Sequence, residues 1–324
     1  MVRTRQRWGI IMLGVVVGVG LIACKKEGAG SSGDKSSEAS GGPGGGDLAL
    51  LPGDSEVVFG LNFGQMQQSA MWKQFVEPKL ASGRGQRLMG EIKTRCGADP
   101  LKMVSSITVG GKDFSSDKPS LVVVGHGVDK AKILDCLDKS KDDIAKDGGQ
   151  MTREGDLVLF KDEHGDAGAL TFPNDTTAVL VAGSNGTAAG IKAIVAGTSS
   201  LKSSAPFLEM YKKVKTTDSV WGLASGKVME SVPLDLKATA AYGSLNVTDG
   251  LAIDMRVRFE KPEAAKQAAD MANAQVKQAA QYFDKAEVTA DSNELHASVS
   301  LSGQKLTQML PLIQMAAGSM MGGN

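Results

Sequence analysis

Three histidines and three cysteines are the only imidazole and thiol groups in this 324-residue chain, so any His/Cys metal cage or imidazole base must be built from them. His296 lies between Leu295 and Ala297 on an alternating stretch, on the polar side with Ser298 and Ser300. A hydroxyl beside an imidazole is the raw material of a nucleophile and its base. No acidic residue to orient the ring is identifiable nearby, and serine is common on solvated strand faces. His126 stands between Gly125 and Gly127 just after an apolar run. Ends of central strands are where ligands gather in open sheets, but Gly-His-Gly reads more simply as a turn. His164 has Asp162, Glu163 and Asp166 around it, oxygen ligands for a hard cation. Their order does not follow the EF-hand pattern, and acidic hairpin loops serve solubility. Gly110-Gly111-Lys112-Asp113 fails as a phosphate-binding loop on both sides, and neither Gly-x-Ser-x-Gly nor His-Glu-x-x-His occurs. The expectation is therefore a protein that is not an enzyme, with no catalytic residue, no cofactor and no metal.

Charge narrows the partners. Lys plus Arg and Asp plus Glu are both 36, whereas a sequence-independent nucleic-acid binder carries a basic excess, so nucleic acid is not expected as a partner. Locally, Lys73, Lys79, Arg84, Arg87, Lys93 and Arg95 outnumber Glu77 and Glu91. Such a patch suits anionic lipid or glycan, although a solvated helical face explains it as well. Met309 and Met315 beside Leu310, Leu312 and Ile313 read as core filling where aromatics are scarce.

The most specific motif is at the start. Arg3, Arg5 and Arg7 precede an uncharged, mostly apolar run from Gly9 to Ala23, shorter than the roughly 20 residues of a spanning helix. The run ends in Leu21-Ile22-Ala23-Cys24, which resembles the lipobox of bacterial lipoproteins. That resemblance implies a signal peptide over 1–23, cleavage before Cys24, lipidation of Cys24 and a membrane anchor. It also implies a cell-envelope location, with the outer membrane favoured because Lys25, not Asp, follows the cysteine. Each buried CH₂ contributes about 0.8 kcal/mol, so two or more acyl chains hold a protein stably without spanning the bilayer. Residues 24–47 then form a lipidated cysteine and a linker. Its glycines, serines and lack of large apolar side chains cannot make a core, so a flexible tether of roughly 25 Å root-mean-square span is expected.

From Leu48 the pattern alternates strands and amphipathic helices. Val57, Phe59, Leu61 and Phe63 recur at period two, and a helix over 65–80 carries Met66, Trp72, Phe75 and Val76. Leu121 to Val124 reads as a central strand, Asp129 as the cap of a helix to about Lys146, and 157–160 with 168–172 as a hairpin. Ala178 to Ala182 and Ala188 to Ala196 follow as strand and helix. Leu251 to Phe259 alternates cleanly, Pro262 opens a helix with an alanine stripe, and 295–301 is a further strand. A last helix is expected over 303–317, kinked by Pro311, with 318–324 frayed. Asp54-Ser55 before Phe59-Gly60-Leu61 resembles Asp218-Ser219 before Trp221-Gly222-Leu223, given a two-residue gap. Each segment reads as strands, a helix, a strand pair and a helix, which favours duplication over coincidental similarity. The expected fold is α+β: two tandem units, over 48–203 and 204–317, of mainly antiparallel sheet with helices packed on one face.

Once Cys24 is lipidated, Cys96 and Cys136 remain, and in an exported protein they read as a disulfide. Free thiols are the rival; a redox pair is disfavoured by a separation unlike Cys-x-x-Cys. The main functional expectation is a lipid-anchored, non-enzymatic binding or structural module for an envelope protein or cell-wall partner. The alternative is a periplasmic carrier of a lipid or other apolar ligand. The oligomeric state is not legible.

Overall fold

The computed structural model describes residues 46–114, 119–231 and 236–309. The Cys24 lipidation site, the signal segment, Pro311 and the expected frayed tail lie outside the described residues. Twelve strands form one continuous sheet: β1 (Val57–Asn62), β2 (Ser106–Lys112), β3 (Ser120–His126), β4 (Gln150–Glu154), β5 (Leu157–Lys161), β6 (Ala167–Asn174), β7 (Thr177–Ala182), β8 (Val220–Ser225), β9 (Ala238–Asn246), β10 (Gly250–Phe259), β11 (Lys285–Asp291) and β12 (Glu294–Ser302). Their order is β11-β12-β10-β9-β8-β1-β2-β3-β7-β6-β5-β4, and every pairing is antiparallel. The fold is thus α+β, as its alternating patterns demand.

The two halves have similar strand orders, although four strands return in the first and two in the second. In the first, β1, β2 and β3 form a meander, a helix crosses, and the returning strands end in β7 beside β3. In the second, β8, β9 and β10 form a meander, a helix crosses, and β12 returns beside β10. The halves meet at β1 and β8, where Phe59 faces Gly222 and Gly60 faces Trp221. The two similar tripeptides therefore lie side by side, each aromatic opposite the other's glycine.

One face, here the front, carries Val58, Val122, Val124, Val179, Trp221, Leu223 and Tyr242. It is covered by a 3-10 turn at Asp47–Ala49 and by the helices that follow β7. The back of the first half carries Ile107, Val109, Leu170 and Leu180 under α1 (Phe63–Met66), a π-helical turn (Trp72–Val76), α2 (Glu77–Leu80), α3 (Gly83–Cys96) and α4 (Lys130–Lys146). The first half is therefore covered on both faces, where the sequence suggested one. The physical reason is the apolar run of β7, five consecutive buried residues that require a cover on each side. The single helix expected over 65–80 is interrupted by a turn at 67–69 and resumes at 70, passing through the π-helical turn just before Pro78, which cannot donate into a continuous ladder. The helix from Asp129 forms as expected, with the Asp129 carboxylate accepting from the Lys132 N–H at 3.0 Å. After β7 come α5 (Ala188–Ala196) and α6 (Ala205–Tyr211) on the front, and after β10 comes α7 (Pro262–Ala279) on the back, seated through Ala265 and Ala269. The chain is helical again over 303–309.

Cys96 and Cys136 are disulfide-bonded across 40 residues and fasten the end of α3 to the middle of α4. The chain-entropy argument gives about 4 kcal/mol for a loop of this length. Reducing the bond is expected to lower the urea midpoint accordingly, read by denaturation with and without reductant. An unchanged midpoint would mean that α3 and α4 are held by packing alone.

Candidate functional site

On β10, β12 and β11 the front face is polar apart from Ala252: it bears Asp254, Arg256 and Arg258, then Glu294, His296, Ser298 and Ser300, then the exposed Lys285, Glu287, Thr289 and Asp291. The antiparallel register brings Arg258 opposite Glu294 and Arg256 opposite His296. At its inner end this face is organised around Glu294, whose side chain is 9% exposed. Its Oε1 accepts from the Tyr242 hydroxyl at 2.6 Å and from Arg258 Nε at 2.8 Å; its Oε2 accepts from Lys213 Nζ at 2.8 Å. Arg258 Nη2 reaches on to Glu209 Oε1 at 2.8 Å. Burial alone would raise the Glu294 carboxyl, but three donors outweigh it and hold it at about 2. Burial, and then the bond to Glu294, push the Tyr242 hydroxyl well above its ordinary value. Arg258 rises too, its two glutamates overriding the cost of burial. A second cluster joins Lys215 Nζ and His296 Nε2 to Asp254 at 2.9 Å each. The hydrogen bonds from Lys215 and His296 outweigh burial and hold Asp254 below the usual carboxylate range.

Arg258 also forms one wall of a cleft of about 360 Å³ on the front, at the seam of the two halves. The cleft takes Asp54, Ser55 and Glu56 from the entry to β1, and Leu201, Phe207 and Met210 from the segment joining the halves. Those last three are buried and make an apolar floor. On its rim Lys112 meets Asp54 at 2.5 Å, Arg258 meets both glutamates, and Glu56 accepts from the Asp113 N–H at 3.3 Å. The register shift at Arg258 and Phe259 is the kind of bulge that re-aims a side chain beside a site. A wider groove of about 860 Å³ opens at the start of α4 among Asp129, Asp135, Asp138, Asp156 and Asp175. Its cations Lys130 and Arg153 are bound to these carboxylates, so it is an ion-paired surface around the buried Val128 and Leu134.

His126 ends β3 and is followed by Gly127 at φ +75°, so the Gly-His-Gly segment does turn. Its ring, however, is engaged. Nε2 lies 2.7 Å from Asp47 Oδ1, and Nδ1 lies 3.3 Å from the Thr177 hydroxyl. Asp47 also accepts from the Thr108 hydroxyl at 2.6 Å and is 3% exposed. A hydroxyl, an imidazole and a carboxylate in line suggest a nucleophile relay. Here the hydroxyl is covered, Thr177 being 7% exposed, and the contact is long. The arrangement instead pins the front turn to the sheet. It also corrects the tether's end: Asp47, expected within the linker, belongs to the folded body, because a buried carboxylate needs its partners in place.

The bond from Asp47 raises His126 above its ordinary value, although burial opposes it. The stabilisation this gives is complete below the unfolded value of about 6.5 and is lost as pH rises through the folded one. The gap in urea midpoint between wild type and His126→Gln should therefore narrow from pH 6 to pH 9. A constant gap would remove the ion pair from the account.

His164 closes its hairpin loop: the Asp162 carboxylate accepts from the backbone N–H of His164 and of Asp166 at 2.9 and 2.7 Å. Among the described residues no group of three or more His, Cys, Asp or Glu is placed to hold a metal ion, and no helix is long and apolar enough to cross a membrane. Arg87, Lys93 and Arg95 of α3 are exposed, with Arg95 paired to Asp143 at 2.9 Å. Sequence reasoning placed His296 on the right face but missed its acidic partner Asp254, and it missed Glu294, Tyr242 and Lys213 altogether. The alternation of 251–259 and 295–301 carried the polar face alone; the antiparallel register of β10 with β12, which α7 and β11 separate in the chain, sets Asp254 diagonal to His296 and Arg258 opposite Glu294. No protein-family model, curated protein or solved structure matches the chain.

Proposed function

We propose that this protein is a lipid-anchored, non-enzymatic binding module of the bacterial cell envelope. In this reading it is held through Cys24, favouring the outer membrane, and engages an envelope protein or cell-wall partner at the seam cleft. One observation carries the reading: the cleft is assembled from both halves, with a buried apolar floor and rim charges that already have partners. Such a rim is preorganised, so docking costs little side-chain ordering. Clefts of about 300 to 1,000 Å³ at the junction of structural units are where ligands are ordinarily held. The similar strand orders of the halves support a duplication whose product is this seam. The floor of Leu201, Phe207 and Met210 also favours a second reading, a carrier that holds the apolar part of a lipid there.

A photo-crosslinking residue at Ser204, on the rim, tests both in the full lipidated chain within its own membrane. The expected result is one dominant adduct from Ser204 and none from a control at the exposed Lys192. A protein or glycan adduct supports the module, and a lipid adduct supports the carrier. Equal labelling from both positions would sink the cleft as a binding site.

A further inference from the structure

Among the described residues, the charged face beside the cleft contains one cation left over. Arg258 is bound by Glu294 and Glu209, Lys213 by Glu294, and Lys215 and His296 by Asp254. Arg256 stands among them, with Tyr242 as its neighbour on β9 and His296 as its neighbour on β12. The Tyr242 hydroxyl is bound to Glu294, and His296 Nε2 to Asp254. Arg256 Nε is covered and, among the described residues, has no hydrogen-bond partner. A covered guanidinium donor left unmade is costly, and native structures rarely retain one without something to meet it. The side chain is half-buried, and it sits two residues from Arg258 on the same strand face, about 7 Å along the strand.

We infer that Arg256 is an anion-binding residue, and that the ligand docked at this seam carries an oxyanion, a phosphate or carboxylate, that it meets. A guanidinium presents its donors in a planar fork that matches such groups. The neighbouring carboxylates are already drawn to Lys213, Lys215 and Arg258, so the incoming anion has no competitor for Arg256. The apolar floor and this cation together describe an amphiphile, with its apolar part in the cleft and its charged head on β10. The inference rests on the cleft reading for where the rest of the ligand lies, but not for the anion contact itself.

The Arg256 Nε–H is its own reporter. The full lipidated chain, labelled with ¹⁵N-arginine and held in nanodiscs of zwitterionic lipid, gives a resonance identified by its loss in Arg256→Lys. Inorganic phosphate should shift that resonance saturably while leaving Arg153, already paired with Asp138, unmoved. Calorimetry should show phosphate affinity reduced about tenfold or more in Arg256→Gln and partly kept in Arg256→Lys. A shift with free phosphate identifies a diffusible anion. A shift only when phosphatidylglycerol replaces part of the lipid identifies a headgroup, and both results support the inference. No shift under either condition, an equal shift at Arg153, or unchanged affinity in Arg256→Gln overturns it. Ser204 crosslinking with a silent Arg256 would fell this inference alone. A responsive Arg256 without a Ser204 adduct would fell the cleft reading and leave the anion site standing.

Discussion

Replacing Glu294 with Gln is expected to destabilise the protein by about 3 kcal/mol at neutral pH, the scale for breaking a buried pair by removing one partner. The change leaves Lys213 and Arg258 facing a neutral amide where a nearly buried carboxylate stood, and it weakens the bond from the Tyr242 hydroxyl. The pH dependence has a definite sign. Glu294 is held at about 2, below the value near 4.3 of an unfolded chain. Its contribution is present above the unfolded value and is lost as pH falls through the folded one. Urea midpoints of wild type and variant should therefore stay apart from pH 7 to pH 5 and converge towards pH 2. A gap that persists undiminished to pH 3 would show that the carboxylate charge is not what this network uses.

That network was half visible beforehand, and the reason is instructive. Alternation along 251–259 and 295–301 is a property of each strand by itself, so the polar face was legible. Which carboxylate meets which cation depends on register, and register is set between strands. Local signals served well where one element carries its own punctuation, as with Asp129 at the start of α4 and Pro262 at the start of α7. They failed for β9, whose Ala-Thr-Ala-Ala-Tyr-Gly-Ser run has weak strand propensity and is held by its neighbours. They also failed for β4, a mostly exposed edge strand without an apolar face of its own. The union of both halves into one sheet was not legible at all, because β1 and β8 are far apart in sequence and join only edge to edge. The seam cleft inherits that opacity, since its walls come from the entry to β1, the connection before β8 and the far end of β10.

The seam itself makes the second large prediction, a contrast between two glycines facing two aromatics. A Cβ added at Gly60 would lie 2.2 Å from Trp221 Nε1, inside the ring's own volume. Trp221 is 2% exposed and stands edge-on to Tyr211, with ring centroids 5.6 Å apart, so it has nowhere to retreat. Gly60→Ala should thus cost about 3 kcal/mol, at the upper end for overpacking a filled core. The mirror substitution behaves differently. A Cβ at Gly222 would meet Phe59 Cβ at 3.5 Å, an ordinary contact on the half-buried back face. Gly222→Ala should be neutral or stabilising by up to about 1 kcal/mol, because the unfolded chain loses more freedom than the folded one. Equal losses at the two positions would refute the account of how the halves meet. The consequence also reaches the binding site. Trp221 leans on Tyr211, and Tyr211 stacks on Phe207 at 5.9 Å, which is part of the cleft floor. A displaced Trp221 is therefore transmitted to the floor through two ring contacts. Gly60→Ala should lower the crosslinking yield at Ser204 even under conditions where the protein remains folded, whereas Gly222→Ala should leave that yield unchanged.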